Sequence, residues 1–164
     1  MRVYKRINYI FEVELPDCKR YFQYLLSDST WLGGNVIAIF ENKYDKSESP
    51  DKNEIVKGPV EYYCHTNINF GVELGLWKKY GNAPACSDLS DIYFRNYIDE
   101  EWIGLKCWRV WRVNEEFISF DELPVRFKDS YSTYLFSPKN VYHKIKYGRF
   151  LGQDVLSSFT KTLL

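Results

Sequence analysis

The run from Trp102 to Val113 limits the fold more than any other part of the chain. Apolar residues occupy its odd-numbered positions, apart from Arg109, whereas the even-numbered positions are more polar. A period of two with one apolar face is typical of a β-strand that lies on a core. The polar Asn114-Glu115-Glu116 connection then predicts a hairpin with a second strand over residues 117–120.

Further strands are predicted where β-branched and aromatic residues concentrate. Residues 8–15 alternate between apolar and polar positions, and residues 36–40 form a short β-rich run. Residues 55–64 favour a strand interrupted at Gly58-Pro59, because proline cannot donate a hydrogen bond to a neighbouring strand. Residues 125–127 indicate one more short strand.

Helices are predicted where apolar residues recur at intervals of three and four positions. This spacing occurs in residues 17–28 and again in residues 87–97, whose first residues can cap a helix. The stretch from Pro138 onward predicts a short helix and a terminal helix. Residues 68–80 fit either a helix or a strand.

These elements do not follow the strict strand–helix alternation that a parallel doubly wound sheet requires. We therefore expect the α+β class, with a mainly antiparallel sheet and two to four helices packed on one face. A chain of 164 residues is close to the usual size of one domain, about 100–150 residues. The prediction is a single domain over residues 1–164.

The sequence also favours a cytoplasmic location. No window approaches the ~20 apolar residues that a membrane-spanning helix needs. The basic N-terminal residues are followed by a polar-interrupted segment that does not match a secretory signal. The four cysteines form no C-x-x-C pair, which predicts reduced thiols in the core and no metal or other cofactor.

No nucleotide-binding, hydrolase or metalloprotease motif occurs in the chain. The sharpest enzymatic hypothesis uses Cys64 as a nucleophile and His143 as its base, because a reactive thiolate needs a nearby proton acceptor. His65 directly follows Cys64, but neighbouring residues of a strand point to opposite faces. The alternative is a buried core cysteine beside an exposed histidine.

Charges are separated along this neutral chain. Residues 88–122 carry nine acidic and four basic groups, whereas residues 123–164 carry seven basic and two acidic groups. Either segment could attract a partner, or the two could face each other within the fold. Residues 139–150 interleave cations with aromatic rings, which suits nucleic acid, but a dedicated binder is usually basic overall. Nucleic acid is therefore the weaker hypothesis, and no membrane partner is expected.

The aromatic content favours protein binding. Five tryptophans, 14 tyrosines and 11 phenylalanines make up 18% of the chain, more than a small core readily covers. Tyrosine, tryptophan and arginine are the usual anchors of protein interfaces, although such rings can also simply fill the core. If the predicted strands pair as a hairpin, acidic residues gather at both of its ends. The interface hypothesis comprises Asp99, Glu100, Glu101, Trp102, Trp108, Arg112, Glu115, Glu116, Asp121 and Glu122.

An acidic rim around aromatic anchors suits a basic partner protein. An example is a bacterial immunity protein that neutralises a cognate nuclease toxin by direct binding. The richness in lysine, asparagine, isoleucine and tyrosine is compatible with an AT-rich, laterally acquired gene, as in toxin–immunity pairs. The preferred hypothesis is a non-enzymatic protein-binding module, and more specifically such an inhibitor.

Overall fold

A computed structural model describes residues 5–30 and 32–152, whose strands form two sheets. The strands are β1 (Tyr9–Glu14), β2 (Lys19–Ser27), β3 (Asn35–Phe40), β4 (Val60–Thr66), β5 (Lys78–Asn82), β6 (Phe94–Glu100), β7 (Leu105–Trp111), β8 (Ile118–Phe120), β9 (Tyr131–Ser132) and β10 (Leu135–Phe136). These residues also form the helices α1 (Lys52–Lys57), α2 (Ile68–Glu73) and α3 (Pro138–Tyr147). Single 3₁₀ turns lie at Glu101–Ile103 and Val125–Phe127.

The larger sheet has the strand order β10-β4-β3-β2-β1-β5, and we call it the central sheet. The smaller sheet, with the order β8-β7-β6-β9, is called the second sheet. Neighbouring strands run antiparallel except for two pairs, β10 with β4 and β6 with β9, which are parallel. Both sheets are therefore mixed.

The central sheet is covered on both faces. One face carries Phe22 and Ile37, which pack against Ile68 of α2 and Val141 of α3. The opposite face packs against the second sheet around Phe94, and against α1 elsewhere. We call the contact between the two sheets the interface core.

The predicted α+β character is confirmed, whereas the predicted single sheet with all helices on one face is not what forms. Ile55 of α1 belongs to a core cluster with Ile10 and Phe40, on the face opposite to α2 and α3. The second sheet takes the place that solvent was expected to occupy. Strands with two covered faces need apolar residues at odd and even positions alike, which removes the alternation that indicates orientation.

Three segment predictions were wrong, and a fourth is confirmed in part. Residues 17–28 contain β2 in place of a helix, and most of this strand is buried on both faces. Residues 87–97 form a turn that leads into β6, and residues 125–127 form a 3₁₀ turn in place of a strand. The start of the predicted 55–64 strand belongs to α1, and only the part after Pro59 is β4.

Other segment predictions are confirmed. Residues 8–15 contain β1, residues 36–40 lie in β3, and the 102–113 run pairs with residues 117–120 through β7 and β8. The short helix after Pro138 is α3, and the predicted terminal helix lies outside the described residues. No helix of the described residues combines the length and the apolar character needed to cross a membrane.

Gly71 allows α2 to lie very close to a buried aromatic ring. A Cβ atom at this position would overlap the indole of Trp77, which is buried and donates a hydrogen bond to the Ile68 carbonyl at 2.9 Å. Glycine-to-alanine substitution in a helix usually stabilises it. Here we expect Gly71→Ala to lower the free energy of unfolding by about 1–3 kcal/mol, measured by urea denaturation, because the core becomes overpacked. The penalty should shrink in a Trp77→Leu background, and an equal penalty there would contradict this explanation.

Candidate functional site

The second sheet turns one face to the central sheet and the other outward. Phe94 and Trp111 pair directly across β6 and β7 and lie in the interface core. Tyr97 and Trp108 also pair directly but project to the opposite side, where their ring centroids lie 5.2 Å apart. We call this outward face, together with the turn between β6 and β7, the outer surface.

The β6–β7 turn presents two exposed large apolar side chains on the outer surface. Trp102 is 83% exposed and Ile103 is 52% exposed, and Gly104 closes the turn in the left-handed conformation at φ 68°. Tryptophan is highly buried on average, so such exposure at the tip of a turn is unusual. Exposed aromatic and aliphatic side chains that are grouped together are typical of a contact with a partner.

Carboxylates surround this turn. Asp99, Glu100 and Glu101 lie at the end of β6 and the start of the turn. Because Phe120 pairs with Trp108 and β8 runs antiparallel to β7, Asp121 and Glu122 continue toward the same end. The structure therefore places five of the acidic residues predicted from the sequence toward one end of the second sheet. Within residues 5–30 and 32–152, the ion pair made by this group joins Asp99 to Lys106 at 3.5 Å.

The opposite end of the hairpin contains Arg112, Glu115 and Glu116. The Arg112 guanidinium donates to Glu115 Oε2 at 2.9 Å and to the Ser90 carbonyl at 3.2 Å, so this side chain fastens two loops to each other. Arg112 is therefore engaged in contacts within the molecule, and its role as an anchor for a partner stays a prediction. Glu116 is exposed beside this pair.

The sequence did not single out several other residues of the outer surface. Ile118 of β8 and Val125 of the following crossover are largely exposed. Phe127 covers part of the sheet by packing against Tyr93 and Phe120. The crossover is held in place by Arg95, which donates to the carbonyl of Lys128 at 2.7 Å and also to the carbonyls of Phe127 and Ser130. Alternation in β8 is too short to reveal which of its side chains face outward.

The acidic second sheet and the basic helix α3 lie on opposite faces of the central sheet. The cations of α3 therefore do not face the acidic second sheet, whereas Arg126 and Lys128 of the same basic segment lie in the crossover beside that sheet. In the basic segment, Lys144 is buried, donates to the Gly148 carbonyl at 2.8 Å and lies 3.8 Å from Glu61. Because Phe150 is also buried, the nucleic-acid pattern of residues 139–150 is partly directed into the core.

A second constellation lies between the two sheets, and we call it the buried polar cluster. His65 Nε2 lies 2.9 Å from Asp28 Oδ2, and His65 Nδ1 lies 3.2 Å from Thr133 Oγ1. The Trp111 indole N–H donates to Asp28 Oδ2 at 3.1 Å, and the backbone N–H of Asn114 donates to Asp28 Oδ1 at 3.2 Å. A carboxylate, an imidazole and a hydroxyl thus form one hydrogen-bonded chain that joins β2, β4, β7 and the β9–β10 connection.

The same order of groups occurs in hydrolases, but the buried polar cluster lacks the access that a substrate needs. The side chains of Asp28 and His65 are fully buried, and so is Thr133. The Thr133 hydroxyl oxygen also lies 3.2 Å from the Tyr134 carbonyl oxygen. Three cavities of about 210, 180 and 180 Å³ are lined by described residues. Asn114 lines one of the smaller two, but Asp28, His65 and Thr133 line none of the three. The cluster is suited to holding the two sheets in register.

Hydrogen bonding to Asp28 makes the free energy of unfolding depend on pH in the acidic range. Burial acts to raise the pKa of this carboxyl, but hydrogen bonds from His65, Thr30 and Asn114 outweigh burial and hold the pKa well below its ordinary value of 3.8. A carboxyl with a lowered pKa in the folded state stabilises the fold above its unfolded pKa, and this contribution is lost as the pH falls through the folded pKa. We expect the stability advantage of the wild type over Asp28→Asn to be constant near neutrality and to decrease below about pH 4, measured by urea denaturation. A difference that stays unchanged down to strongly acidic pH would contradict the assignment.

Cys64 and His143 do not form the predicted nucleophile and base. Cys64 is fully buried in the core beneath the helices, where burial raises the pKa of its thiol. The His143 ring instead pairs through Nδ1 with the Arg149 carbonyl at 2.8 Å, and no hydrogen bond within the described residues joins it to Cys64. His65, expected to be exposed beside a core cysteine, is buried on the opposite face of β4.

All four cysteines are free thiols, as predicted, and they differ in exposure. Cys86 is half-buried and its pKa is raised to about 11, whereas Cys18, Cys64 and Cys107 are buried. We expect iodoacetamide at mildly alkaline pH to label Cys86 slowly and the other three only after unfolding, as read by mass spectrometry. Labelling of Cys64 in the folded protein faster than global unfolding would restore the enzymatic hypothesis.

Comparisons with protein families, with curated proteins and with solved structures found no match. In the part of the chain that the structure describes, no three histidine, cysteine, aspartate or glutamate side chains cluster so as to hold a metal ion. The outer surface is therefore the candidate site that geometry supports best.

Proposed function

We propose that this protein is a non-enzymatic binding module that captures a basic partner protein with its outer surface. The observation that carries the proposal is the 83% exposure of Trp102 at a turn surrounded by carboxylates. Interfaces typically place a few aromatic anchors inside a polar rim, and the anchors supply most of the binding free energy. Here the anchors are Trp102 and Ile103, with the Tyr97–Trp108 pair beside them.

The rim favours a positively charged partner. Glu101, Asp121 and Glu122 are exposed and have no ion pair within the described residues, so a cation of a partner can approach them. Such complementarity accelerates association and excludes acidic proteins. A partner that binds nucleic acid has the required basic surface, and an inhibitor of a nuclease toxin is the specific function we propose. Binding would cover the surface with which the toxin contacts phosphates.

Site-directed photocrosslinking in the source cells tests the proposal. A benzophenone amino acid replaces Trp102 at the centre of the outer surface, or Tyr147, which is 58% exposed on α3 behind the central sheet. We expect one discrete crosslinked protein from position 102 and none from position 147. Mass spectrometry then identifies the captured protein, and its isoelectric point should be basic.

Two results would count against the proposal. No product at position 102, or the same products at both positions, would show that the outer surface does not select a partner. For the specific function, the captured protein must be toxic when expressed alone and harmless with the wild-type chain. A captured protein that is not toxic would support the binding module and contradict the specific function as an inhibitor.

A further inference from the structure

The outer surface ends at an open sheet edge, which is formed by β8. This strand pairs with β7 on one side, and no strand of the described residues pairs with its other side. Ile118 and Ser119 are exposed on it. An unpaired edge offers backbone amide and carbonyl groups to any extended segment that reaches it.

Carboxylates flank this edge at both ends. Glu116 precedes β8, and Asp121 and Glu122 follow it, all of them exposed. The span from residue 116 to residue 121 is about 17 Å at the rise of an extended chain. An incoming strand is therefore met by negative charge at two points separated by roughly five residues.

These charges select among the possible occupants. If two copies of the chain paired their β8 strands antiparallel around Ser119, Glu116 of each copy would lie opposite Glu122 of the other. Like charges directly across a strand pair are destabilising. A segment with a cation at each end and β-branched residues between them meets opposite charges instead.

We infer that the partner adds an extended segment to β8, with two basic residues about five positions apart and β-branched residues between them. This inference rests on the proposed function and deepens it, because it states how the basic partner is held. Main-chain hydrogen bonds to β8 supply a sequence-independent part of the affinity, and the flanking carboxylates supply the selection. The β5 edge differs in charge, since it carries Lys78 and Lys79.

Hydrogen exchange with a designed peptide tests the inference. The probe is acetyl-Arg-Val-Thr-Val-Thr-Arg-amide at millimolar concentration, and the comparison peptide has glutamate in place of both arginines. We expect the basic peptide to slow backbone amide exchange in β8 at least about tenfold, while the acidic peptide has no effect. The variant Glu116→Lys/Asp121→Lys/Glu122→Lys should reverse this preference.

The control variant Glu41→Lys/Glu54→Lys/Glu73→Lys has the same change in charge at exposed positions away from the second sheet. It should keep the preference of the wild type.

Unchanged exchange in β8 with the basic peptide would overturn the inference, and so would equal protection by both peptides. Protection that rises with protein concentration in the absence of peptide would identify a second copy as the occupant, and would also overturn it. None of these outcomes affects crosslinking at position 102, so failure of the inference and failure of the proposed function are distinguishable.

Discussion

Replacing Asp28 with alanine is expected to lower the free energy of unfolding by about 3–5 kcal/mol, which approaches the whole stability of a marginal domain. The substitution removes the Asp28 carboxylate, which is the buried, shared partner of three groups: His65 Nε2, the Trp111 indole N–H and the backbone N–H of Asn114. Each unsatisfied buried group costs free energy because water cannot replace the lost partner. Urea denaturation followed by tryptophan fluorescence measures the loss.

Asp28→Asn provides a milder variant if Asp28→Ala does not fold. The amide keeps one acceptor oxygen but loses the charge and the second acceptor, so we expect an intermediate loss of stability. Asp45→Ala is the matched control, because Asp45 is exposed and accepts from the Ser47 hydroxyl at 2.6 Å. A loss for Asp28→Ala no larger than for this control would mean that the buried polar cluster does not hold the two sheets together.

Replacing Trp102 with alanine should have the reverse effect, with a large change in binding and a small change in stability. Truncating an interface anchor typically costs 2 kcal/mol or more, and we therefore expect at least about thirtyfold weaker affinity for the crosslinked partner. Because the side chain is 83% exposed, the free energy of unfolding should change by no more than about 0.5 kcal/mol. Titration calorimetry and urea denaturation give the two quantities.

Tyr147→Ala serves as the control for this substitution, since it removes another exposed aromatic ring on the far side of the central sheet. It should leave the affinity unchanged. Equal affinity of wild type and Trp102→Ala would show that the turn is not an anchor. A large loss of stability in Trp102→Ala would instead reveal a structural role that the exposure of the side chain does not suggest.

The sequence predicted the hairpin of β7 and β8, one face of which is not fully covered. The hairpin of β7 and β8 followed from alternation in residues 102–113, because the outward face of that strand tolerates lysine and arginine. Its acidic ends followed from the same pairing, since antiparallel strands bring Asp121 toward the turn that begins at Glu101. This part of the candidate site could be predicted without a structure.

Alternation does not identify a strand such as β2, in which both covered faces are apolar. It identified β1, which is also covered on both faces, because Glu12 and Glu14 separate the apolar residues there. In β2, apolar residues follow each other at adjacent positions, and some of them are spaced by three and four as in a helix. The stripe from Leu89 to Tyr97 was also misleading, because Leu89 is a buried side chain in an otherwise exposed turn, with φ of 64°, and only the later residues belong to β6. The spacing of apolar residues along one segment does not indicate that a second sheet will cover the other face of the central sheet.

The buried polar cluster was beyond sequence reasoning for a different reason. Asp28, His65 and Thr133 come from three distant parts of the chain and have no motif in common. Asp28 follows Ser27 in a polar stretch that resembles an ordinary loop, and only the pairing of β2, β3 and β4 brings it beside His65. The engagement of Arg112 by Glu115 and Ser90 likewise depends on the turn conformation.

Backbone NMR of the chain with and without its crosslinked partner tests the central claim most directly. Binding through the outer surface predicts that the largest chemical-shift changes occur in residues 97–108 and 118–122, with α3 unchanged. Changes confined to residues 138–147, or centred on His65 and Thr133, would contradict it.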